Sequence, residues 1–275
     1  MHRVDWVSGR TRLFGIVGDP VEQVRSPEWM TAEMHARGVD GILVPIHIPA
    51  QAFDDTLSGL KSVANLDGLV MTIPFKARAL DHVDAVGPEG LAGGGINAMV
   101  RCPDGTWKGE MFDGLGCLAA LRSVGASPCG RSILLVGAGG AGSAIGLAVA
   151  RQAPDRLRIV EPDVVRAADL KRRIAGIAPA VKVDIGPADP TGFDMVLNAS
   201  PVGMVDDPRT PLIGPVTPGT VVFDAVATPT TTRLMADAVA LGATVVGGAE
   251  MILGQTNLIV DFMLQYTSTQ LRTKI

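Results

Sequence analysis

The sequence predicts an α/β protein built from two domains. Three observations carry this. Short apolar runs alternate with stretches of helical period along most of the chain, and a period switching between two and about 3.6 marks βα units that feed a parallel sheet. The alternation comes in two series, separated by a hairpin-like pattern, a helix and a turn-rich segment over residues 96–130. A glycine-rich turn opens the second series, directly between an apolar run and a helical stretch.

In chain order, residues 13–17 read as a strand. Pro27 then opens a helix through Arg37 that Gly38 ends, the usual placing of Pro and Gly at helix boundaries. Residues 42–46 are a second strand, and residues 50–60 a helix with Phe53, Leu57 and Leu60 apolar. Residues 69–73 are a third strand. Residues 96–101 and 106–108 flank Pro103-Asp104-Gly105 as a hairpin. A helix over 113–124 follows, with Gly125-Ala126-Ser127-Pro128 as a linker. The second series runs strand 133–136, helix 141–151, strand 157–160 and helix 164–174. Short strands around Val181, 195–197 and 221–223 continue it, and a long helix over 249–264 ends it. The expected segments are a first domain over 1–112, a second over 113–246 and a C-terminal helical segment over 247–275.

Composition narrows the function. Hydrophobic residues at 47% against 19% charged exclude a disordered chain. A net charge of -4 with no basic stripe argues against nucleic-acid binding. Cys102, Cys117 and Cys129 form no CxxC pair, and the four histidines lie apart from them. Buried reduced thiols are expected, rather than a disulfide framework or a metal site. The N-terminus lacks a continuous apolar segment. The longest low-charge stretch, residues 134–150, is broken by five glycines and is too short to span a bilayer. The expectation is a cytoplasmic protein with a small-molecule substrate and no membrane or nucleic-acid partner, with assembly as a homodimer left open.

Gly137-Ala138-Gly139-Gly140-Ala141-Gly142 matches GxGxxG with a strand before and a helix after, the context that makes this pattern a phosphate cradle. Gly137 allows the tight turn, Gly139 lets a pyrophosphate approach the backbone, and Gly142 lets the helix pack on the strand. The bland alternative is a tight βα turn without a ligand. Glu161 ends the next strand, 24 residues after Gly137, near the offset of roughly 20 expected of a ribose-binding acid. An acid there repels a 2′-phosphate, and Pro162 and Asp163 supply no arginine to hold one, so the cofactor read here is NAD. The alternative is a solvated Glu161 with Asp163 as a helix cap. In the first domain, Lys76 closes Thr72-Ile73-Pro74-Phe75-Lys76 at the C-terminal end of a strand, where open parallel sheets bind ligands. A lysine there can move a hydroxyl proton. Asp113 could pair with it, or simply cap a helix.

Several of these pieces occur together in one order. Gly18-Asp19-Pro20, Arg25-Ser26-Pro27, the Thr72–Lys76 pattern, Gly95-Ile96-Asn97, Gly109 with Asp113-Gly114, the glycine loop, Asn198-Ala199-Ser200-Pro201-Val202-Gly203-Met204 and Gly254-Gln255 follow one another along the chain. The order and spacing resemble the shikimate dehydrogenase family from about residue 13 to about residue 265. The resemblance implies an N-terminal substrate domain, a Rossmann cofactor domain and a C-terminal helix returning to the first domain. It implies Lys76 and Asp113 as the catalytic pair, with Ser26, Thr72, Asn97 and Gln255 binding substrate. It places Asn198, Ala199, Ser200 and Met251 near the nicotinamide half of the dinucleotide, beside Gly137, Gly139, Gly140, Ala141, Gly142 and Glu161, which the loop motif and its spacing assign to the cofactor. It implies reversible hydride transfer between a nicotinamide dinucleotide, read above from Glu161 as NAD, and a ring hydroxyl of a shikimate- or quinate-like cyclic polyol.

The chain departs from the family pattern at specific places. Val24 stands where the family has the first Ser of Ser-x-Ser-Pro, Ala227 where it has a Tyr, and Met111-Phe112 where Asn-Thr precedes the Asp. Ala98 replaces a Thr after the hairpin Asn, and Glu161-Pro162-Asp163 replaces the NADP-type Asn-Arg-Thr. The missing Ser and Tyr belong to a carboxylate anchor in that family. Each lost hydrogen bond to a charged group is worth about 1.5–3 kcal/mol. Arg25 either replaces the anchor or is solvated. A paralogue with a modified pocket is therefore expected. The rivals are a housekeeping NADP-dependent shikimate dehydrogenase and a non-catalytic NAD- or polyol-binding regulator.

Overall fold

The computed structural model describes residues 6–205 and 207–266, so the expected C-terminal segment is described as far as Tyr266. The chain divides into two compact units. One takes the chain up to Phe112 and resumes at Thr256, and the other runs Asp113–Gln255.

The first unit contains β1 (Arg12–Gly18), α1 (Ser26–Ala36), β2 (Gly41–His47), α2 (Phe53–Leu60), β3 (Leu66–Met71), β4 (Ala85–Val86), α3 (Pro88–Gly93), β5 (Ala98–Arg101) and β6 (Trp107–Glu110). The sheet order is β2-β1-β3-β5-β6-β4. Strand β1 pairs in parallel with β2 and β3, while β5 runs antiparallel to β3 and β6. Every residue of β3 is buried, the mark of an inner strand covered on both faces. The core gathers Val17, Phe53, Leu57, Leu69, Met71, Phe75, Ile96 and Trp107. Phe53 and Phe75 stack with centroids 4.1 Å apart.

The second unit contains α4 (Asp113–Ser123), β7 (Ser132–Val136), α5 (Gly140–Ala150), β8 (Arg156–Val160), α6 (Val164–Ile177), β9 (Lys182–Ile185), β10 (Met195–Asn198), β11 (Val221–Asp224), α7 (Arg233–Ala240) and β12 (Thr244–Val246). Its sheet, β12-β11-β10-β7-β8-β9, is parallel throughout. This is the doubly wound order, whose switch point lies between β7 and β10. Asp163 caps α6 by accepting the N–H groups of Val165 and Arg166. Thr232 caps α7 through Met235 N–H. The last helix, α8 (Gly248–Tyr266), is shared by both units, with the division after Gln255. In the first unit its C-terminal part sets Phe262 against Phe112, centroids 5.5 Å apart, and pairs Asp261 with Arg37.

The α/β class and the return of the last helix to the N-terminal region are as expected. The structure differs from these expectations in several places. Strand β3 stops at Met71, because Thr72 carbonyl accepts Phe75 N–H and the chain turns there. Strand β9 begins after Val181. The short elements β4, α3 and β12 are too brief to show a period, and α7 follows a Thr-Pro-rich run that reads as loop. Cys102 and Cys117 are buried free thiols, but Cys129 is exposed; it lies in the turn beyond the linker. No helix among the described residues is long and apolar enough to cross a membrane.

Candidate functional site

In the first unit, the polar candidates are held by the backbone. Phe75 is fully buried against Phe53, which pins the Thr72–Lys76 turn to the core and leaves Thr72 and Lys76 half-buried beside it. Thr72 N–H donates to Val17 carbonyl at 2.9 Å, and Lys76 carbonyl accepts Ile96 N–H at 2.8 Å. A Cβ on Gly95 would stand 3.1 Å from that same Lys76 oxygen. Asn97 is 2% exposed. Its carbonyl accepts Met71 N–H at 2.8 Å, its N–H donates to Glu110 carbonyl at 3.0 Å, and its Oδ1 accepts Phe112 N–H at 2.9 Å. Lys76, Asn97 and the residue before Asp113 are thus tied together in one unit. Ser26 opens α1, beyond the end of β1. Arg25 is exposed, bonds Glu28 at 2.7 Å and lies over Trp29.

Two side chains given no role by the sequence neighbour this turn. His47 Nε2 donates to Asp19 Oδ1 at 2.9 Å, Asp19 Oδ2 accepts Ala50 N–H at 2.9 Å, and Asp19 N–H donates to Ile73 carbonyl at 3.0 Å. His47 and then the Ala50 amide hold the Asp19 carboxyl below its usual range.

In the second unit, Asp113 is the first residue of α4 and 1% exposed. The helix seats by backbone contact. A Cβ on Gly114 would stand 2.5 Å from Ala144 oxygen, and one on Gly116 would stand 2.8 Å from Met251 oxygen and 3.2 Å from Gln255 Cβ. Gly254 likewise faces Ala119. These glycines bring Asp113, Met251 and Gln255 to one corner of the unit. Cys117, one turn after Asp113, is fully enclosed, and burial, then the Asp113 charge, pushes its thiol upward.

The glycine loop ends β7. Gly137 has φ +98°, and a Cβ there would stand 2.8 Å from Ala199 oxygen; a Cβ on Gly142 would overlap Gly137 oxygen. Gly139 differs. Its φ of -70° suits any residue, and a Cβ there would meet nothing within 4 Å. Neither conformation nor packing requires that glycine, and the open space beside it fits a phosphate approaching the N–H groups that start α5. Gly140 and Ala141 follow it in the first turn of α5. Glu161 is no solvated strand end. Its side chain is 8% exposed, Oε2 accepts Ala138 N–H at 2.8 Å, and Oε1 accepts Asp163 N–H at 3.1 Å. Asp163 has the capping role weighed as the alternative. Arg166 lies 3.0 Å from Asp163 and 3.6 Å from Glu161. Asn198 ends β10, with Ala199 and Ser200 in the turn after it. Asn198 bonds Ser200 and Asp224. Asp224 is buried, which raises its carboxyl against the opposing pull of Thr232, Val226 and Asn198. Polar residues at strand ends are ordinary turn formers, so no local signal distinguished Asp224.

The shikimate dehydrogenase substrate binding domain matches residues 16–99. The chain is 33% identical over 254 residues to a shikimate dehydrogenase (NADP(+)) of Rubrobacter xylanophilus, covering 90% of this chain and 89% of that protein. It is 34% identical over 265 residues to one of Citrifermentans bemidjiense, covering 90% and 88%. Among solved structures, shikimate 5-dehydrogenase of Listeria monocytogenes, in complex with shikimate and NAD, shares the fold with a TM-score of 0.83 at 23% identity, covering 96% and 95%. The 5-ketofructose reductase of a Gluconobacter strain has a TM-score of 0.79 at 28% identity, covering 94% and 95%. Quinate dehydrogenase of Corynebacterium glutamicum, in complex with NAD, has a TM-score of 0.78 at 25% identity, covering 95% of each chain.

Proposed function

Since the chain belongs to the shikimate dehydrogenase family, we propose that it reversibly oxidises a secondary hydroxyl of a shikimate- or quinate-like cyclic polyol, with NAD as the hydride acceptor. The bound nicotinamide dinucleotide supplies hydride chemistry that no side chain of the protein can. Lys76 Nζ takes the hydroxyl proton on oxidation and returns it on reduction, and Asp113 orients the hydroxyl and the lysine. Thr72, Asn97, Gln255 and Ser26 position the ring. Each buried donor or acceptor left unmatched by a wrong substrate is costly, which makes such a site selective. Gly137, Gly139, Gly140, Ala141 and Gly142 hold the pyrophosphate, and Asn198, Ala199, Ser200 and Met251 flank the nicotinamide.

The observation that carries the cofactor reading is Glu161, whose carboxylate is held at the mouth of the glycine loop by Ala138 N–H. A carboxylate so placed accepts ribose hydroxyls and repels a 2′-phosphate. Use of NADP is the second reading, favoured by the names of the curated relatives and by Arg166 beside Glu161. Weak binding of shikimate is expected, because Val24 and Ala227 offer no hydroxyl and Arg25 is paired with Glu28.

The test is reduction of NAD and NADP, side by side, with shikimate and quinate, and oxidation of the reduced dinucleotides with 5-ketofructose, for wild type and Lys76→Ala. Turnover with NAD that falls about 10²-fold or more in the variant supports the proposal. Binding of dinucleotide with no turnover of any polyol indicates a regulatory protein instead. Efficient turnover of shikimate with NADP overturns both the cofactor and the pocket reading.

A further inference from the structure

Asp224 is a buried carboxylate to which the roles above assign no task. It is the last residue of β11 and the register partner of Asn198, the last residue of β10, and both are 0% exposed. Its Oδ1 accepts Asn198 Nδ2 at 2.9 Å and Val226 N–H at 3.1 Å. Its Oδ2 accepts the Thr232 hydroxyl at 2.6 Å. A carboxylate accepts and cannot donate, so the Asn198 amide must turn its NH2 to Asp224 and its oxygen away. In that orientation Asn198 Oδ1 accepts Ser200 N–H at 3.1 Å and the Ser200 hydroxyl at 2.6 Å. Nδ2 also donates to Val202 carbonyl at 3.2 Å, and Ser200 Oγ accepts Val202 N–H at 3.3 Å. The turn after β10 is therefore held by a continuous hydrogen-bond chain that begins at Asp224. Buried at Asn198 and Asp224, such a chain holds its members rigidly when each is satisfied.

We propose that Asp224 is a positioning residue for the dinucleotide. Acting through the Asn198 amide, it sets the conformation of residues 199–202 and with it the nicotinamide end of the site. This rests on the reading of Asn198, Ala199 and Ser200 as nicotinamide neighbours. Asp224 also anchors Thr232, the cap of α7, so a purely structural role must be separated from positioning.

The experiment compares wild type with Asp224→Ala, Asp224→Asn and Thr232→Val. It reads amide hydrogen exchange over residues 198–203, NAD affinity by calorimetry, and kcat and KM. Asp224→Ala should accelerate exchange at Ser200 and Val202 and weaken NAD binding or lower kcat by about ten- to hundredfold, the cost of a small misplacement of bound reactants. Asp224→Asn keeps a carbonyl facing Asn198 and should stay within about threefold of wild type, since its amide can donate to Thr232 Oγ1. Thr232→Val should lower thermal stability while leaving NAD affinity unchanged. If the alanine variant does not fold, Asp224→Leu fills the same space without an acceptor and must give the same pattern. Unchanged exchange in the folded variant overturns the hold on the turn. Faster exchange with unchanged NAD affinity, kcat and KM overturns positioning and leaves a structural role. A wild type that binds no dinucleotide refutes the proposed function, and the exchange result still decides whether Asp224 holds the turn.

Discussion

Replacing Gly114 by alanine should destabilise the protein and lower turnover together, through one displacement. The new Cβ would stand 2.5 Å from Ala144 oxygen and 2.6 Å from Ala148 Cβ, where carbon atoms settle at about 3.5–4.0 Å. Neither obstacle is the end of a flexible side chain, so α4 must move away from α5 by roughly 1 Å to restore ordinary contact. Overpacking of this kind costs about 1–3 kcal/mol or more. Alanine recovers about 1 kcal/mol of helix propensity, which leaves a net loss of about 0–2 kcal/mol, larger where the helix cannot move. At about 2–4 °C per kcal/mol for a chain of this size, calorimetry resolves all but the smallest shift. The more telling change is in turnover. Asp113, proposed above to orient the hydroxyl and Lys76, precedes Gly114, and a shift of about 1 Å at a group in that role costs about 10²-fold. Gly176 of α6 is the control. Its Cβ would meet nothing within 4 Å and its φ is not positive, so Gly176→Ala should stabilise by about 0.5–1 kcal/mol. The reasoning is refuted if Gly114→Ala matches Gly176→Ala in both stability and kcat.

Three further outcomes are expected. Glu161→Ala should weaken NAD by about ten- to hundredfold through lost charge-assisted hydrogen bonds and weaken NADP less; dissociation constants for both cofactors check it. Burial lifts the Glu110 carboxyl, while the amides of Met111 and Gly90 pull it down. A raised folded-state value gives stability that is present below the unfolded pKa and lost as pH rises through the folded one. Glu110→Gln should therefore gain on wild type as pH rises above the ordinary glutamate range, in parallel thermal melts. A thiol reagent should modify Cys129 in the native protein, and Cys102 and Cys117 only after unfolding; peptide mass mapping identifies the sites.

The features legible in the sequence are local in origin. Both α/β series, the hairpin, and the strand–glycine loop–helix junction depend on periodicity and turn chemistry within a few residues, and the ordered motifs were enough to point to the family. The tertiary structure decided matters that depend on distant partners. Sheet order brings Asn198 beside Asp224, 26 residues away, and gives Phe112 N–H to Asn97, 15 residues away. Helix packing decides that Gly114, Gly116 and Gly254 are close-approach glycines, which their helical setting conceals. Burial decides that the Glu161 side chain is enclosed while Cys129 faces solvent. Periodicity records which side of an element is apolar. It does not record which hydrogen-bonding group the neighbouring element will present, and in this protein that is what orients Asn198 and the turn beside the glycine loop.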